Sequence, residues 1–304
     1  MQFSVIITTY NRVNALPRAV KSVLSQDQVD FELIVVNDGS TDETASLLNS
    51  ITDSRLTVIN RSNGGLSAAR NSGINKASGE WTAFLDDDDL ACADWLSGLA
   101  ELVDHSAGIV CCAAAFCAPN GTRVGTAAPY AMGRMFHHQT GLMLAGTFAV
   151  RTDLLRAING FDERLTCSHQ TELAMRLIPA MLERGLHIRS TNRALVRIER
   201  RGSTERPMSN PFALYHGIRI ILNKHSEKFE QHAEARARSY GVLGVSAARL
   251  EYWGDARSAL LTSASAVPWN VRRWLRLAAA LCPPIGRRVW KVAKYQSDAP
   301  GVAR

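Results

Sequence analysis

Four consecutive aspartates, Asp86–Asp89, are the residues of this sequence whose type and spacing point most clearly to chemistry. Two carboxylates about 6 Å apart repel by nearly 3 kcal/mol at an effective dielectric constant of 20. A helix-capping turn accounts for one or two aspartates, but a run of four at the end of a buried strand needs a cation. Mn²⁺ and Mg²⁺ prefer oxygen ligands and keep positions for water and phosphate. The run therefore predicts a site for a divalent cation and a diphosphate.

Two further polar clusters follow predicted strands, Thr8-Thr9-Tyr10-Asn11 and Asn37-Asp38-Gly39-Ser40. Taken singly, each is as well explained by a solvated turn with a helix cap. Open α/β sheets bind ligands where the carboxyl ends of their strands converge. Three polar clusters at such an edge indicate a binding site.

An alternation of strands and helices must position these clusters. Short apolar runs predict strands at 3–9, 32–37, 56–60 and 80–85. Helices are expected from about Asn14, which would cap the first, from Ser40 and Glu43 as a capping box through Leu48, and over 66–77. Single helices between successive strands imply right-handed crossovers and a mainly parallel sheet, which is the α/β class.

The pattern is looser in the second part of the chain. Helices are predicted at 94–105 and 171–183, and strands at 109–114, 146–150 and 194–199. From Pro211 onward only helical spacing remains. We therefore predict a first domain over 1–210 and a helical region over 211–304.

The net charge of +7 is confined to the end of the chain. Residues 268–304 hold eight basic residues and one acidic residue, so the preceding part is neutral. Since there is also no recognition motif, we exclude nucleic-acid binding. The six cysteines lack paired spacing, and they indicate free thiols in a reducing cytoplasm. The first ten residues and the short apolar runs predict neither a signal peptide nor a spanning helix, and thus a cytoplasmic or membrane-surface protein.

Four segments together carry a family resemblance: SVIITTYNR, ELIVVNDGSTDET, NGGLSAARNSGI and GEWTAFLDDDDL. In this order and spacing they resemble the nucleotide-sugar half of family 2 glycosyltransferases of the bacterial cell-surface glycan type. Weaker resemblance continues through AGTFAVRTDLLRAINGFDERL to about Arg206. It implies a GT-A fold and inverting transfer of a sugar from a nucleoside diphosphate, with a UDP-sugar expected. The acceptor would be a glycan or a lipid-linked molecule in polysaccharide biosynthesis, and the cofactor Mn²⁺ or Mg²⁺.

The resemblance also implies roles for individual residues. Asp38 would accept a hydrogen bond from the pyrimidine, and Arg70 would close over the nucleotide. Asp88, the second acid of the Asp-x-Asp pattern, would ligate the metal. Thr8, Thr9 and Tyr10 would line the base pocket, and Asp86 would hold the ribose. Asn11 and Asp87 are the remaining nucleotide-binding positions.

The chain departs from the family at the general base. The family's acidic pair falls on His169-Gln170, and Gln170 cannot take a proton. His169 is one candidate, because an imidazole can be neutral at neutral pH and a helix capped by Ser168 would favour that neutral form. Glu172 is the second, although its spacing to Arg176 suits a structural ion pair. Asp87, Asp89 or the absence of a base remain open.

Other candidates contact the diphosphate or the acceptor. Arg201 could grip phosphate, with a solvated basic loop as an equal alternative. His137 and His138 could face the acceptor, although an ordinary loop pair is the better explanation of these two residues. Because of the missing acid, the second functional hypothesis is a catalytically impaired nucleotide-sugar-binding partner subunit.

The basic end of the chain suggests a membrane contact. Residues 268–295 combine basic groups with Trp269, Trp274 and Trp290, a combination that suits a helix lying on an anionic bilayer at the inner face of the plasma membrane. The alternative is a helix packed on the catalytic domain or on a second subunit, which leaves a homo-oligomer open.

Overall fold

The computed structural model describes residues 2–199 and 210–290. The chain forms two compact units, Met1–Ser203 and Thr204–Arg304.

The first unit alternates strands and helices. Its strands are β1 (Phe3–Thr9), β2 (Phe31–Asn37), β3 (Leu56–Asn60), β4 (Trp81–Asp86), β5 (Leu90–Ala91), β6 (Ala107–Cys117), β7 (Arg123–Ala127), β8 (Tyr130–Ala131), β9 (Thr140–Gly141), β10 (Phe148–Arg151) and β11 (His187–Glu199). Its helices are α1 (Leu16–Leu24), α2 (Thr44–Asn49), α3 (Leu66–Lys76), α4 (Trp95–Ala100), α5 (Thr152–Ala157) and α6 (His169–Glu183), with a 3-10 turn at Arg134–Phe136.

Nine strands form one sheet with the order β3-β2-β1-β4-β10-β6-β11-β5, and β7 pairs with β6. The strands from β3 to β4 are parallel, whereas β10 runs antiparallel to both β4 and β6. β8 and β9 form a separate two-stranded ribbon. The α/β prediction is confirmed.

The sheet has a hydrophobic core on each side. β1 is buried along its whole length, and its side chains alternate between the two cores: Val5 and Ile7 pack with α1 and α4, and Ile6 packs with α3, α5 and α6. A strand buried on both faces reads as a continuous apolar run because both faces must be dehydrated. The packing on both faces holds β1 in place, and the polar residues at its C-terminal end therefore lie at the edge of the sheet.

The helices α1 and α2 do not begin at the capping residues that were predicted for them. α1 begins at Leu16, and Asn14 does not cap it. The capping box is wrong, because α2 begins at Thr44 and the Ser40 hydroxyl instead accepts a hydrogen bond from the Asn11 amide at 3.0 Å. α4 is shorter than predicted, and the strand predicted at 194–199 starts at His187.

The second unit is helical throughout its described residues, 210–290. Its helices are α7 (Pro211–Lys224), α8 (Ser226–Gln231), α9 (Ala233–Arg249), α10 (Trp253–Ala266), α11 (Val271–Leu281) and α12 (Pro283–Val289). Asn210 caps α7, because its side-chain oxygen accepts from the amides of Phe212 and Ala213. None of the helices described in either unit has the length and hydropathy needed to span a bilayer.

Candidate functional site

The strand register brings the three polar clusters to one edge of the sheet. In the parallel ladder Thr8 lies opposite Asp86 on one side, and Thr9 lies opposite Asn37 on the other. Because β1 lies between β2 and β4, the loops after these strands are neighbours. The convergence that the sequence predicted is therefore present.

The four aspartates form a tight turn at the end of β4. The Asp89 amide donates to the Asp86 carbonyl at 3.1 Å, and the buried Asp89 carboxylate accepts from the Glu199 amide at 3.2 Å. Burial is the main cause that raises the pKa of Asp87 to about 6; the charges of Asp88 and Asp86 raise it further, and Thr9 and Arg12 oppose the rise. Burial and the neighbouring aspartates also raise the pKa of Asp89 well above its ordinary value. The turn holds excess negative charge that a proton or a cation would relieve.

This donor set fits a divalent cation that is shared with a ligand. Among the residues that the structure describes, no three histidine, cysteine or acidic side chains converge as a complete metal site. Mg²⁺-type ions are commonly held by one or two carboxylates, with substrate phosphates and water in the other positions. Asp88, half-buried between two other carboxylates, can supply such a ligand.

Asp38 is buried and holds the loop that leads into α3. Its two carboxylate oxygens accept hydrogen bonds from the amides of Gly64 and Gly65, at 3.0 and 2.8 Å, and the Arg61 Nε lies 3.4 Å away. Gly65 has a φ of +87°, a conformation that glycine adopts without strain. Asp38 therefore orders this loop, and the spare lone pairs of its carboxylate can still accept from a ligand.

The segment after β1 lies against the segment after β2. The Asn11 side-chain oxygen accepts from the Thr41 amide at 2.7 Å, which joins the two loops. The Tyr10 ring is about half exposed, so it presents a free aromatic face beside them.

Arg70 extends from α3 to the acidic turn. Its guanidinium is 3% exposed and donates to the Asp86 carboxylate at 2.8 Å. The rings of Phe84 and Phe161 lie 5.9 and 5.2 Å from the guanidinium carbon, in the range of cation–π contacts. Its second terminal nitrogen, NH1, is buried and has no hydrogen-bond partner among the described residues.

His169 is the first residue of α6 and is 6% exposed. Burial chiefly, and then the charge of Arg70, lower its pKa to about 4, while the Leu165 backbone and Asp86 act in the opposite direction. Within the described part of the chain its Nε2 has no hydrogen-bond partner. The expected Ser168 side-chain cap is wrong, because that hydroxyl donates to the Cys167 sulfur. The imidazole is therefore neutral at neutral pH because of burial and Arg70.

Glu172 is fully buried and bound by Arg176. The two Arg176 nitrogens Nε and NH2 donate to its two oxygens at 2.8 and 2.6 Å, and Arg176 also donates to the carbonyls of Ile158 and Gly160. A carboxylate held on both oxygens by a guanidinium is a poor proton acceptor. The geometry thus favours the structural alternative for Glu172 over its assignment as the base.

The remaining candidates are not joined to the acidic turn. His137 and His138 are exposed, have φ near +55°, and lie in the connection between β8 and β9. No contact between them and Asp86–Asp89 is present in the described residues. Arg201 lies outside the described residues.

Three participants were not predicted from the sequence as site residues: Phe161, Arg61 and Arg12. Phe161 packs on Arg70, Arg61 approaches Asp38, and Arg12 lowers the pKa of Asp87. Phe161 and Arg12 lie inside the segments that carry the family resemblance. That location is the signal in the sequence by which these two residues could have been found.

The sheet gathers an acidic turn, a buried aspartate and a buried arginine at the ends of its parallel strands, which is where open α/β proteins bind their ligands. The chain belongs to glycosyl transferase family 2, because the model of that family matches residues 4–159, just over half of the chain.

Comparisons with individual proteins agree with this class. A Campylobacter jejuni protein, GalNAc(5)-diNAcBac-PP-undecaprenol beta-1,3-glucosyltransferase, is 38% identical over 104 residues, which are 33% of this chain and 34% of that protein. The succinoglycan biosynthesis protein ExoO of Rhizobium meliloti is 40% identical over 103 residues, 33% of this chain and 29% of its own length. Among curated relatives compared, the matched segments span between 13% and 34% of the relative.

A solved structure extends the similarity over most of the chain. Residues 1–349 of S. aureus TarS, in complex with UDP-GlcNAc, match with a TM-score of 0.67 and 25% identity, covering 94% of this chain and 88% of that one. This likeness confirms the predicted GT-A fold with its C-terminal helices.

Proposed function

We propose that the protein is a metal-dependent, inverting glycosyltransferase that moves a sugar from a nucleoside diphosphate, most readily a UDP-sugar, to a glycan or lipid-linked acceptor in bacterial polysaccharide biosynthesis. The observation that carries the proposal is the Arg70–Asp86 ion pair at the strand edge that also holds Asp38 and the acidic turn. The functions for which the Campylobacter and Rhizobium relatives are named support the acceptor class, and the UDP-GlcNAc bound by TarS supports the donor class.

Each part of the donor has a matching group at this edge. The pyrimidine would meet Asp38, with Thr8, Thr9, Tyr10 and Asn11 around it, and the ribose would meet Asp86 and Asp87. Arg70 would close over the nucleotide. A divalent cation on Asp88 would offset the charge that develops on the departing nucleoside diphosphate.

His169 is our candidate for the general base. Among the described residues, its Nε2 and the NH1 of Arg70 are buried and have no hydrogen-bond partner, and the Arg70 charge acts on the His169 ring. In the proposed complex an acceptor hydroxyl would donate to Nε2, and NH1 would be a further donor for a bound oxygen. In this reaction His169 Nε2 would take the hydroxyl proton as the oxygen attacks the donor sugar. The remaining alternatives are Asp87 and Asp89.

Replacing His169 by alanine should lower the single-turnover rate constant for transfer by about 10² to 10⁴, the usual contribution of a general base. The dissociation constant of the donor should stay within about twofold, because none of the groups proposed to bind the nucleotide is removed. Rapid-quench kinetics with enzyme in excess over donor measures the first quantity and calorimetry the second. The matched control is His187→Ala, an exposed histidine on β11. If His169→Ala transfers as fast as His187→Ala, the base is another group.

A panel of nucleotide sugars with and without Mn²⁺ tests the proposed function as a whole. Binding to the native state at 100 times the dissociation constant stabilises it by about 2.7 kcal/mol, which is a readily measured rise in Tm. We expect UDP-sugars to raise the Tm in Mn²⁺ but not in chelator. No rise with any nucleotide sugar would contradict the proposal.

A catalytically impaired partner subunit is the second candidate, favoured by Gln170 at the position of a family acid. It predicts the same thermal stabilisation but neither transfer nor donor hydrolysis when an acceptor library is added. Nucleoside diphosphate release in the same samples therefore separates the two candidates.

The proposal places the protein in the cytoplasm, peripherally on the inner face of the plasma membrane through residues 268–295. Of these, 291–295 lie outside the described residues. The alternative is that this segment packs on a second copy of the chain in a homo-oligomer.

A further inference from the structure

Helix α11 turns its apolar side away from the unit to which it is attached. Val271, Trp274, Leu275, Ala278 and Leu281 are all exposed. They recur at intervals of three and four residues, and such positions share one side of an α-helix. We call these five residues the exposed stripe.

The opposite side of α11 makes the attachment. Arg273 donates to the Ser263 hydroxyl and to the Glu234 carboxylate, both at 3.2 Å, and Ala280 is fully buried. The helix is thus held by Arg273, Ala280 and the half-buried Leu277, whereas its other large apolar side chains, Val271, Trp274, Leu275 and Leu281, are exposed. This is the reverse of the usual arrangement for a helix packed on a core.

The apolar surface continues on both sides of α11. Trp269, just before the helix, is 78% exposed, and Ile285 and Val289 on α12 are more than half exposed. Of the fourteen large apolar side chains exposed in the described chain, seven lie within residues 269–289. Such a concentration marks an interaction surface rather than scattered surface apolar residues.

Positive charge accompanies this surface. The sequence has no acidic residue between Pro268 and Lys294. Arg272, Arg276 and Arg288 are exposed, and no ion pair of theirs occurs within 2–199 or 210–290, while Arg287 pairs with Glu251. An anionic partner would find at least three arginines available.

We propose that the exposed stripe, with Trp269 and the α12 residues, docks on an anionic lipid bilayer, with α11 parallel to its surface. Apolar side chains and tryptophans would enter the interface while Arg272, Arg276 and Arg288 contact lipid phosphates. A second copy of the chain fits this surface less well. A two-fold contact through the stripe would set the arginines of one copy against those of the other.

The inference goes beyond the proposed reaction, since vesicle binding requires neither donor nor acceptor sugar. Flotation of the full chain with phosphatidylcholine vesicles, with and without phosphatidylglycerol, measures the partition coefficient. We expect binding only with phosphatidylglycerol, and weaker binding as salt is raised. Failure of sugar transfer would leave this result unchanged, and failure of flotation would leave the transferase proposal standing.

Two paired variants locate the surface. Arg272→Gln with Arg276→Gln should reduce the partition coefficient about thirtyfold, since each basic residue near an anionic surface contributes about fivefold. Trp274→Ser with Leu275→Ser should reduce it by about tenfold or more. Arg123→Gln with Arg134→Gln removes the same charge from exposed positions of the first unit, and Val124→Ser removes an exposed apolar side chain there. These two controls should bind as the wild type does.

Three results would overturn the proposal. The first is no flotation of the wild type at low salt, and the second is equal flotation of the stripe variants and the controls. The third is a combination of two observations: the wild type does not bind vesicles, and the variant with Trp274→Ser and Leu275→Ser has a different oligomeric state in sedimentation velocity. That last result would assign the surface to an interface between copies.

Discussion

The Asp88→Asn variant should transfer sugar at least about 10³-fold more slowly than the wild type while remaining folded. A metal ligand at a diphosphate supplies several kcal/mol of transition-state stabilisation, and about 4 kcal/mol corresponds to this factor. The variant should also lose the Mn²⁺-dependent part of nucleotide binding. Its Tm should equal or exceed that of the wild type, because one of four clustered negative charges is removed.

Steady-state transfer, calorimetry in Mn²⁺ and in chelator, and thermal unfolding measure the three parts of this prediction. Asp27→Asn is the matched control, since Asp27 is an exposed aspartate outside the strand edge. Undiminished transfer by Asp88→Asn in chelator would rule out the metal assignment. A large fall in Tm would instead show that Asp88 is needed for folding.

Replacing Glu172 by alanine should lower the free energy of unfolding by about 3–5 kcal/mol. This is the usual cost of removing one partner of a buried ion pair, because the other charge is left buried. Here the remaining charge is the Arg176 guanidinium, whose side chain is only 18% exposed. Urea unfolding should show a lower midpoint with an unchanged m-value.

Glu183→Ala provides the control on the same helix, because Glu183 is exposed and exposed substitutions typically change stability by less than about 0.5 kcal/mol. Glu172→Gln should have an intermediate effect, since its amide oxygen can still accept from Arg176. If Glu172→Ala unfolds like the wild type but loses transfer, Glu172 is the base and His169 is not.

The sequence predicts best the strands that can be identified from their own residues alone. β1 and β3 have the expected bounds, because buried strands of a parallel sheet read as continuous apolar runs. The predicted ends of β1 and β4 place their polar clusters at the same edge of a parallel sheet, and in the structure Thr8 pairs with Asp86. The edge of the candidate site could therefore be predicted.

Long-range contacts explain what could not be predicted. The residues around Ser40 are typical of a helix cap, yet the Ser40 hydroxyl accepts a hydrogen bond from the Asn11 amide in a neighbouring loop. The low pKa of His169 depends on Arg70 and on burial, neither of which is visible in the residues around His169. Tertiary partners overrode local preference at each of these positions.

The antiparallel strand β10 joins β4 to β6 and so divides the sheet into two parts. All pairings from β3 to β4 are made within residues 3–86, whereas one of the two cores beneath these strands also contains side chains of α5 and α6. The strand ends that carry the candidate site are therefore aligned by pairings within the first 86 residues, and the later elements complete the core that supports them.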